Sequence, residues 1–553
     1  MKTSARFVLV SLLIAGIIAS GTIPALAEAA DPAFAPYEET LKLTIGQPVD
    51  STYTFPEGMD WENNDIFNHA KAALNLDITD AFQAQSGKDY ADKVSTLIGI
   101  NDIPDGLTAN YTQFSAMVRF GMLADLTAAY DEYASATMKA LFDTGEGKAL
   151  NVATFDGKLY ALPNQPVADD DYCLFWIRQD WLDKLNLEAP KTVEDLKAVA
   201  KAFIEKDPGG NGEGRTIGIL GPDSTTEHPT FNFLQAGNSA HRLDPIFTAF
   251  GAFPGFWMEG GDGKPVYGTL LPETREALVF LNGLYADGIL DPQIGLRKSS
   301  NEALISGEAG IWFGPWWAGY FPLPDAIAQN PNANWQSYLL IDKDGNATSH
   351  MQSVCNSFSV IRAGYSNPEV VIKLNNVLLR DEHSFDVTTF TMGMYPLRVP
   401  LAPADELAAT RIAIEDVYTG VKTADYYAGE EWNPYKLIRG DVRDIMTTKL
   451  GDYDDRGISA WNTSSPAWSR LYSIVVGTNP FYSQPVKNVY SLIYTPTPLV
   501  ETKYSTLQKM EDEMIMGIIT GQAGIEAYDE FCDKWLAQGG ADITAEIAEA
   551  LGR

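Results

Sequence analysis

Apolar and polar residues alternate along this chain with two periods, and the two take turns. Thr40-Leu41-Lys42-Leu43-Thr44-Ile45 alternates at period two, which predicts a strand. Ile66 to Leu74 reads as a helix and Leu76-Asp77-Ile78 as a short strand. Tyr90 to Ile100 is helical, with Tyr90, Val94, Leu97 and Ile98 on one stripe. Ile103-Pro104-Asp105 breaks it before a strand at Gly106-Leu107. The order β-α-β-α-β argues for a parallel sheet covered by helices on both faces. The alternation restarts after Pro163. Tyr172 to Arg178 is a continuous apolar run suited to a strand buried on both faces. Thr192-Val193-Glu194-Asp195 resembles a capping box, with Asp in place of the usual Glu. It opens a helical stripe of Val193, Leu196, Val199, Ala200, Phe203 and Ile204. Thr216 to Leu220 and Ala309 to Phe313 predict further strands, the latter running into Gly314-Pro315-Trp316-Trp317. Thr274 to Tyr285 and Glu369 to Leu379 predict amphipathic helices, as do the stripes Leu507/Met510/Met514/Ile518 and Ile525/Tyr528/Cys532/Trp535. There is no internal repeat. Two α/β lobes, with some late segments returning to the first, fit this order.

Composition narrows the class. The 553 residues are 45% apolar and 20% charged, which excludes disorder and collagen. Lys and Arg number 40 against 73 Asp and Glu, a net charge of -33. No basic run relieves that sign. A nucleic-acid partner is excluded on this ground, and anionic membranes are disfavoured. Lys2 and Arg6 followed by the apolar stretch Phe7 to Ser20 and by Ala25-Leu26-Ala27 read as a signal peptide of residues 1–27, with the mature chain starting at Glu28. No Cys stands at that junction to carry a lipid. The expected product is an exported, monomeric protein without membrane insertion, in a periplasm rather than on a cell surface. Cys173, Cys355 and Cys532 are too few for a disulfide scaffold and read as buried thiols.

Signals for covalent chemistry are sparse. The histidines His69, His228, His241, His350 and His383 have no helical zinc spacing, and neither a G-x-S-x-G elbow nor a P-loop occurs. Aromatic residues are plentiful, at 11% with 12 Trp. Trp61, Trp257, Trp316, Trp317, Trp432, Trp461 and Trp468 sit beside Gly, Pro or polar residues rather than on clean core stripes. Flat aromatic faces meet the C–H faces of sugar rings, while amides and carboxylates meet their hydroxyls. Trp316, at a strand end after Gly-Pro, is the first candidate for such a contact, with Trp317 as its alternate and Trp461 as a further one. Asn110 and Gln113 follow the strand near Leu107, where a parallel sheet presents its ligand crevice. Asn164 follows Pro163, and Asp65 lies beyond the first strand. The loop Asp207 to Arg215 places Asp, Asn and Gly as a calcium loop does at its first, fifth and sixth positions. Asp207, Asn211 and Glu213 are its candidate ligands, but Gly209 and Arg215 replace two of the oxygen donors, so a plain glycine-rich loop is the simpler reading.

The chain resembles the extracellular solute-binding proteins of bacterial ABC importers, the family of the maltose-binding protein, and within it the long subgroup of alginate oligosaccharide-binding proteins and lipoprotein sugar binders. The matching segments are Phe55-Pro56-Glu57-Gly58-Met59-Asp60-Trp61, Ile103-Pro104-Asp105, Ala124-Asp125-Leu126-Thr127, Thr154 to Pro163, Trp176 to Leu185, Gly307 to Trp316 and Tyr494-Thr495-Pro496-Thr497, in family order over nearly the whole chain. The resemblance implies a two-lobed α/β periplasmic-binding fold of type 2 with an interlobe ligand cleft. It implies that residues 36–163 and roughly 350–440 form the first lobe, and 164–349 with roughly 441–553 the second. The Asp156 to Pro163 segment matches the first crossing, and the second is expected near Trp335 to Gln352. The loop at Asp207 occupies the place of the relatives' structural calcium. The implied function is capture of an oligosaccharide and delivery to the permease subunits of an importer, without catalysis. A secreted carbohydrate-active enzyme, or the same fold binding a peptide or other polar solute, are the alternatives.

Overall fold

The computed structural model describes residues 31–553 apart from 173, 227, 235–239, 386–391 and 495, so the expected signal peptide and Cys173 lie outside the described residues. The strands that build the lobes and their connections are β1 (Leu41–Val49), β2 (Leu76–Gln85), β3 (Gly106–Ala109), β4 (Leu162–Pro163), β5 (Phe175–Arg178), β6 (Ile217–Leu220), β7 (Ala309–Phe313), β8 (Trp335–Tyr338), β9 (Ala347–Met351), β10 (Phe358–Ile361) and β11 (Val486–Tyr490).

The first sheet has the order β2-β1-β3-β10-β4. β1 runs parallel to β2 and β3, as the β-α-β-α-β pattern requires, but β10 is antiparallel to β3 and β4. The sequence pattern predicts a wholly parallel sheet. It misses the antiparallel strand because β10 is supplied by a segment that returns from the other lobe, and local periodicity carries no direction. Leu43, Ile45, Ile78 and Ile361 on one face of the sheet and Leu107 and Val360 on the other are all buried, in a core shared with Phe67, Val94, Phe114 and Leu374 from helices. The second sheet, β8-β5-β7-β6, is mixed in the same way: β7 is parallel to β6 and antiparallel to β5. All four residues of β5 and all five of β7 are buried, matching their continuous apolar runs.

The lobes are joined by segments that pass side by side. Gln165 lies beside the third passage, its N–H donating to Pro400 O at 3.1 Å and its carbonyl accepting from Ala402 N at 2.9 Å. Asn164 holds the second passage, its N–H donating to Ser357 O at 2.9 Å and its Oδ1 accepting from Asn356 N at 2.8 Å and Ser357 N at 2.9 Å. The first passage therefore begins at Asn164. The Asp156–Pro163 segment, expected to cross, stays in the first lobe: Thr154–Phe155 and Lys158–Leu159 pair as a small hairpin, and Leu159 and Leu162 pack in the first core. The second passage runs after β9 rather than through β8, which is an integral strand of the second sheet.

The division at about residue 440 also moves. Leu397, Val399 and Leu401 belong to the first core, whereas Ala413, Ile414, Val417, Tyr427 and Ile438 pack with Trp176, Trp312 and Trp335 of the second lobe. The chain changes lobe between Leu401 and Leu407. Helical periodicity shows that Glu406–Thr419 has a buried face but not which lobe buries it.

Candidate functional site

The carboxyl ends of parallel strands leave unpaired backbone groups and diverging loops, and ligand crevices open there. On the first lobe this edge carries the loop after β1. Tyr53, Phe55 and Trp61, all half-exposed, form an edge-to-face trio: ring centroids lie 4.9 Å apart for Tyr53–Phe55 and 5.2 Å for Phe55–Trp61. Asp65 is exposed in the first turn of the next helix, whose cap is Asn64, with Oδ1 accepting from Phe67 N at 2.9 Å.

After β3, Asn110 and Gln113 form a reciprocal capping box. Asn110 Oδ1 accepts from Gln113 N at 3.0 Å, and Gln113 Oε1 accepts from Asn110 N at 3.2 Å. Gln113 Nε2 is spent as well, donating to Ala91 O at 2.8 Å and Ser95 Oγ at 3.0 Å. Gln113 is buried and spends both amide protons within the protein, a structural role where the sequence reading expects a ligand contact. Asn110 is exposed at the crevice edge but already caps a helix. Asn164 is buried in the hinge, and its amide also donates to Asn356 Oδ1 at 3.1 Å. It ties crossing segments together rather than facing a ligand.

On the second lobe the equivalent edge lies at the end of β7. Trp316 and Trp317 start a short 3-10 turn there and are half-exposed. The turn is pressed against Gly477, where a Cβ would stand 2.0 Å from Trp316 O, so only glycine permits this approach. Trp316 Nε1 donates to Asp170 Oδ1 at 2.7 Å. Trp461 does not join them. It is 4% exposed, packs edge-on to Tyr472 at 5.5 Å and belongs to the second lobe's core.

Asp170 is the middle of three consecutive acids on the first passage, each with a different partner. Asp169 accepts from the hydroxyls of Tyr172 and Tyr482, both at 3.1 Å. Asp171 Oδ2 accepts from Gln352 N, on the second passage, at 3.1 Å. Burial, helped by the neighbouring Asp170 charge, pushes the Asp171 carboxyl up to about 7. Asp171, Tyr172, Phe231, Arg242, Asp244 and Gly314 line a small recess, about the size of one water molecule. Asp244 Oδ1 accepts from Phe231 N at 3.0 Å, and burial raises its carboxyl to about 6. The Arg242 guanidinium lies 4.6 Å from the Phe231 ring centroid, and the His350 ring packs tilted by 33° against that same ring at 4.0 Å. Burial, with Arg242 nearby, holds His350 far below its ordinary value and therefore neutral.

The sequence reading missed this recess and the Tyr53–Phe55 pair. One signal was available. Three consecutive acids, Asp169 to Asp171, just before a buried run invite the question of what partners each has.

The loop at Asp207 does not fit a calcium ion. Asp207 Oδ1 accepts from Asn211 N at 2.9 Å and Thr216 Oγ1 at 2.7 Å, and its Oδ2 accepts from Gly212 N at 2.9 Å. Asn211 turns Nδ2 inward as a donor, to Thr216 Oγ1 at 3.1 Å and Gly307 O at 3.2 Å, and Glu213 is exposed. Protons of the loop occupy the oxygens that a cation would need. Among the described residues no group of three or more His, Cys, Asp or Glu is placed to hold a metal.

Residues 66–407 match the profile described as bacterial extracellular solute-binding protein. The chain belongs to that family. Among relatives, it is 25% identical over 426 residues to the polygalacturonan/rhamnogalacturonan-binding protein YtcQ of Bacillus subtilis, covering 72% of this chain and 71% of that one. It is 30% identical over 240 residues to the fructooligosaccharide ABC transporter substrate-binding protein FusA of Streptococcus pneumoniae, a match spanning 41% of this chain and 42% of FusA. Among solved structures, an extracellular solute-binding protein from Bifidobacterium longum subsp. infantis superposes with TM-score 0.56 at 16% identity, covering 92% of this chain and 97% of that one. The alginate-binding protein AlgQ2 without calcium ion gives 0.51 at 15% identity, covering 94% and 99%. These likenesses establish the two-lobed solute-binding fold. No helix among the described residues is long and apolar enough to cross a membrane.

Proposed function

We propose that this protein is the exported solute-binding component of an ABC importer, that it captures an oligosaccharide between its lobes, and that it hands the sugar to permease subunits without chemical change. The observation that carries the reading is the composition of the two strand-end edges. One offers aromatic faces at Tyr53, Phe55 and Trp61; the other offers Trp316 and Trp317 beside a carboxylate-lined recess. Apolar faces interleaved with acceptors suit a sugar ring, which has C–H faces and hydroxyl edges. YtcQ and FusA, named for polygalacturonan/rhamnogalacturonan and fructooligosaccharide, point to the same ligand class.

The mechanism is a two-state one. A ligand that touches both edges favours the closed arrangement by the difference in its contacts between the open and closed forms. The side-by-side passages held by Asn164 and Gln165 supply the hinge. In this reading Trp316, Trp317, Asp65 and Asn110 contact the ligand, and the protein acts as a monomer in the periplasm. Thermal-shift screening against an oligosaccharide panel, with product analysis on each hit, tests it. Stabilisation by at least one sugar with no new products is expected. Hydrolysis above a mock preparation would make the protein an enzyme, and stabilisation by peptides alone would change the ligand class.

A further inference from the structure

The indole of Trp316 is held from the hinge. Its main chain is fixed first. Gly314 N donates to Leu174 O at 3.2 Å, Trp176 Nε1 donates to Pro315 O at 3.0 Å, and Gly477 presses against the turn. The ring itself is half-exposed, and its Nε1 donates to Asp170 Oδ1 at 2.7 Å, from 146 positions away in sequence. Asp170 stands where the passages are tied together. Two residues before it, Ala168 N donates to Ala404 O of the third passage at 2.9 Å. One residue after it, Asp171 Oδ2 accepts from Gln352 N of the second passage at 3.1 Å. Asp169 is pinned to the second lobe by the Tyr482 hydroxyl at 3.1 Å. The acceptor is thus held on both sides, as the turn is.

A half-exposed indole can give its N–H to water, so this bond is not needed to satisfy the ring. Trp257, Trp312, Trp335, Trp461 and Trp535 even bury that N–H with no acceptor at all. Packing on every side holds those rings. Trp316 is open on one side, and a carboxylate supplies the missing restraint, in the stronger class of hydrogen bond.

We infer that Asp170 is a positioning residue for ligand capture, which sets from the hinge the angle at which Trp316 presents its ring. The inference rests on the reading above that Trp316 contacts the sugar, and deepens it. A ring free to turn loses that freedom when a ligand stacks on it, and a ring already fixed does not. The difference is worth roughly two- to tenfold in affinity for one side chain. The place of the acceptor adds a second effect. Asp170 moves with the crossing segments, so the element that turns when the lobes close also aligns the binding ring.

The test is calorimetry with kestose, maltotriose and trigalacturonate, carried through the variants with whichever sugar the wild type binds. Asp170→Ala should weaken Kd roughly three- to tenfold. Asp170→Asn keeps an accepting oxygen and should recover most of that loss. Trp316→Phe keeps a ring but has no N–H, and in that background Asp170→Ala should cost nothing further. A loss of equal size in both backgrounds shows that Asp170 does not act through the indole and overturns the inference alone. Binding of none of the sugars by wild type overturns the carbohydrate reading. Fluorine NMR of fluorotryptophan-labelled protein gives a readout that needs no sugar. The Trp316 line, identified by its loss in Trp316→Phe, should broaden or move in Asp170→Ala and hold in Asp170→Asn. A line unchanged by Asp170→Ala overturns the inference whatever the sugars do. Should Asp170→Ala fail to fold, Asp170→Ser, one bond shorter than the native side chain, takes its place in both arms.

Discussion

The two lobes spend their aromatic residues differently. Of the 12 tryptophans only Trp61 belongs to the first lobe, and it lies half-exposed on the loop after β1. In the second lobe Trp176, Trp181, Trp257, Trp312, Trp335 and Trp535 are fully buried. The first core is built chiefly from aliphatic residues and Phe, with Met and two Tyr, on a five-stranded sheet. The second must close helices from distant parts of the chain over a four-stranded sheet, and large flat side chains span the gaps. Trp257, Trp312, Trp335 and Trp535 even bury an indole N–H without an acceptor. Volume outweighs hydrogen bonding there. Tryptophan in this chain is thus chiefly a packing residue of one lobe, and only a few half-exposed indole rings are left for a ligand.

The sharpest way to break that contrast is to empty the second core. Trp535 is fully buried and stacks on Tyr267 at 4.7 Å with planes 10° apart. Trp535→Ala should lower the unfolding free energy by about 3–5 kcal/mol. Denaturant titration checks it, and a cost under about 1 kcal/mol would mean the ring is not core.

Next in size is a pH effect that separates the lobes. Glu511, fully buried in the second lobe, accepts from Tyr267 Oη at 2.7 Å and Thr269 Oγ1 at 2.6 Å, and burial raises its carboxyl to about 7. The folded state then holds a proton that the unfolded chain, near 4.5, gives up sooner. Stability from this group is present below about 4.5 and is lost as pH rises through about 7, to an extent on the order of 3 kcal/mol. In the first lobe Asp381 behaves oppositely: burial pushes it up, but Arg380 and His69 outweigh that and hold it low, so its contribution is lost only in acid. Glu511→Gln should therefore gain stability relative to wild type between pH 5 and pH 8. Equal pH profiles would show that Glu511 is not the group responsible.

Between the lobes the expected effect is smaller. Asn164→Ala leaves the backbone N–H groups of Asn356 and Ser357 without their acceptor in a half-buried hinge. A loss of roughly 1–3 kcal/mol follows if no water replaces the amide. Asn164→Asp keeps the accepting oxygen and should recover most of it. Equal losses in both variants would show that the acceptor is not what matters.

Much of the fold was legible because it is local. The strand at Leu41, the box at Thr192 with Asp195, and the helices closing on Ile518 and Trp535 stand where period and caps place them. What periodicity does not encode is assignment over distance. It gave no direction to β10, put the change of lobe near 440 instead of after Leu401, and could not separate Trp461 in a core from Trp316 at a rim. Sites depend on that second kind of information. Asp171 and Asp244 are 73 positions apart and meet only after folding. Gln113 illustrates the reverse error: an amide at the right end of the right strand, consumed by its own helix.

The smallest effect bears on Asn110, which stands at the first lobe's crevice edge and also serves as a cap. Its Oδ1 satisfies Gln113 N at 3.0 Å, one of the donors that a helix start leaves free, while the side chain remains exposed. Replacing an Asn cap by Ala costs about 1 kcal/mol of stability, and replacing it by Gly only a few tenths. A ligand contact has another signature, because Ala and Gly remove the amide equally. Asn110→Ala and Asn110→Gly should then differ in unfolding free energy yet weaken sugar binding to the same degree. Affinity that follows stability, falling for Ala and not for Gly, would place Asn110 with Gln113 in the scaffold. The first lobe would then meet its ligand chiefly through the rings of Tyr53, Phe55 and Trp61.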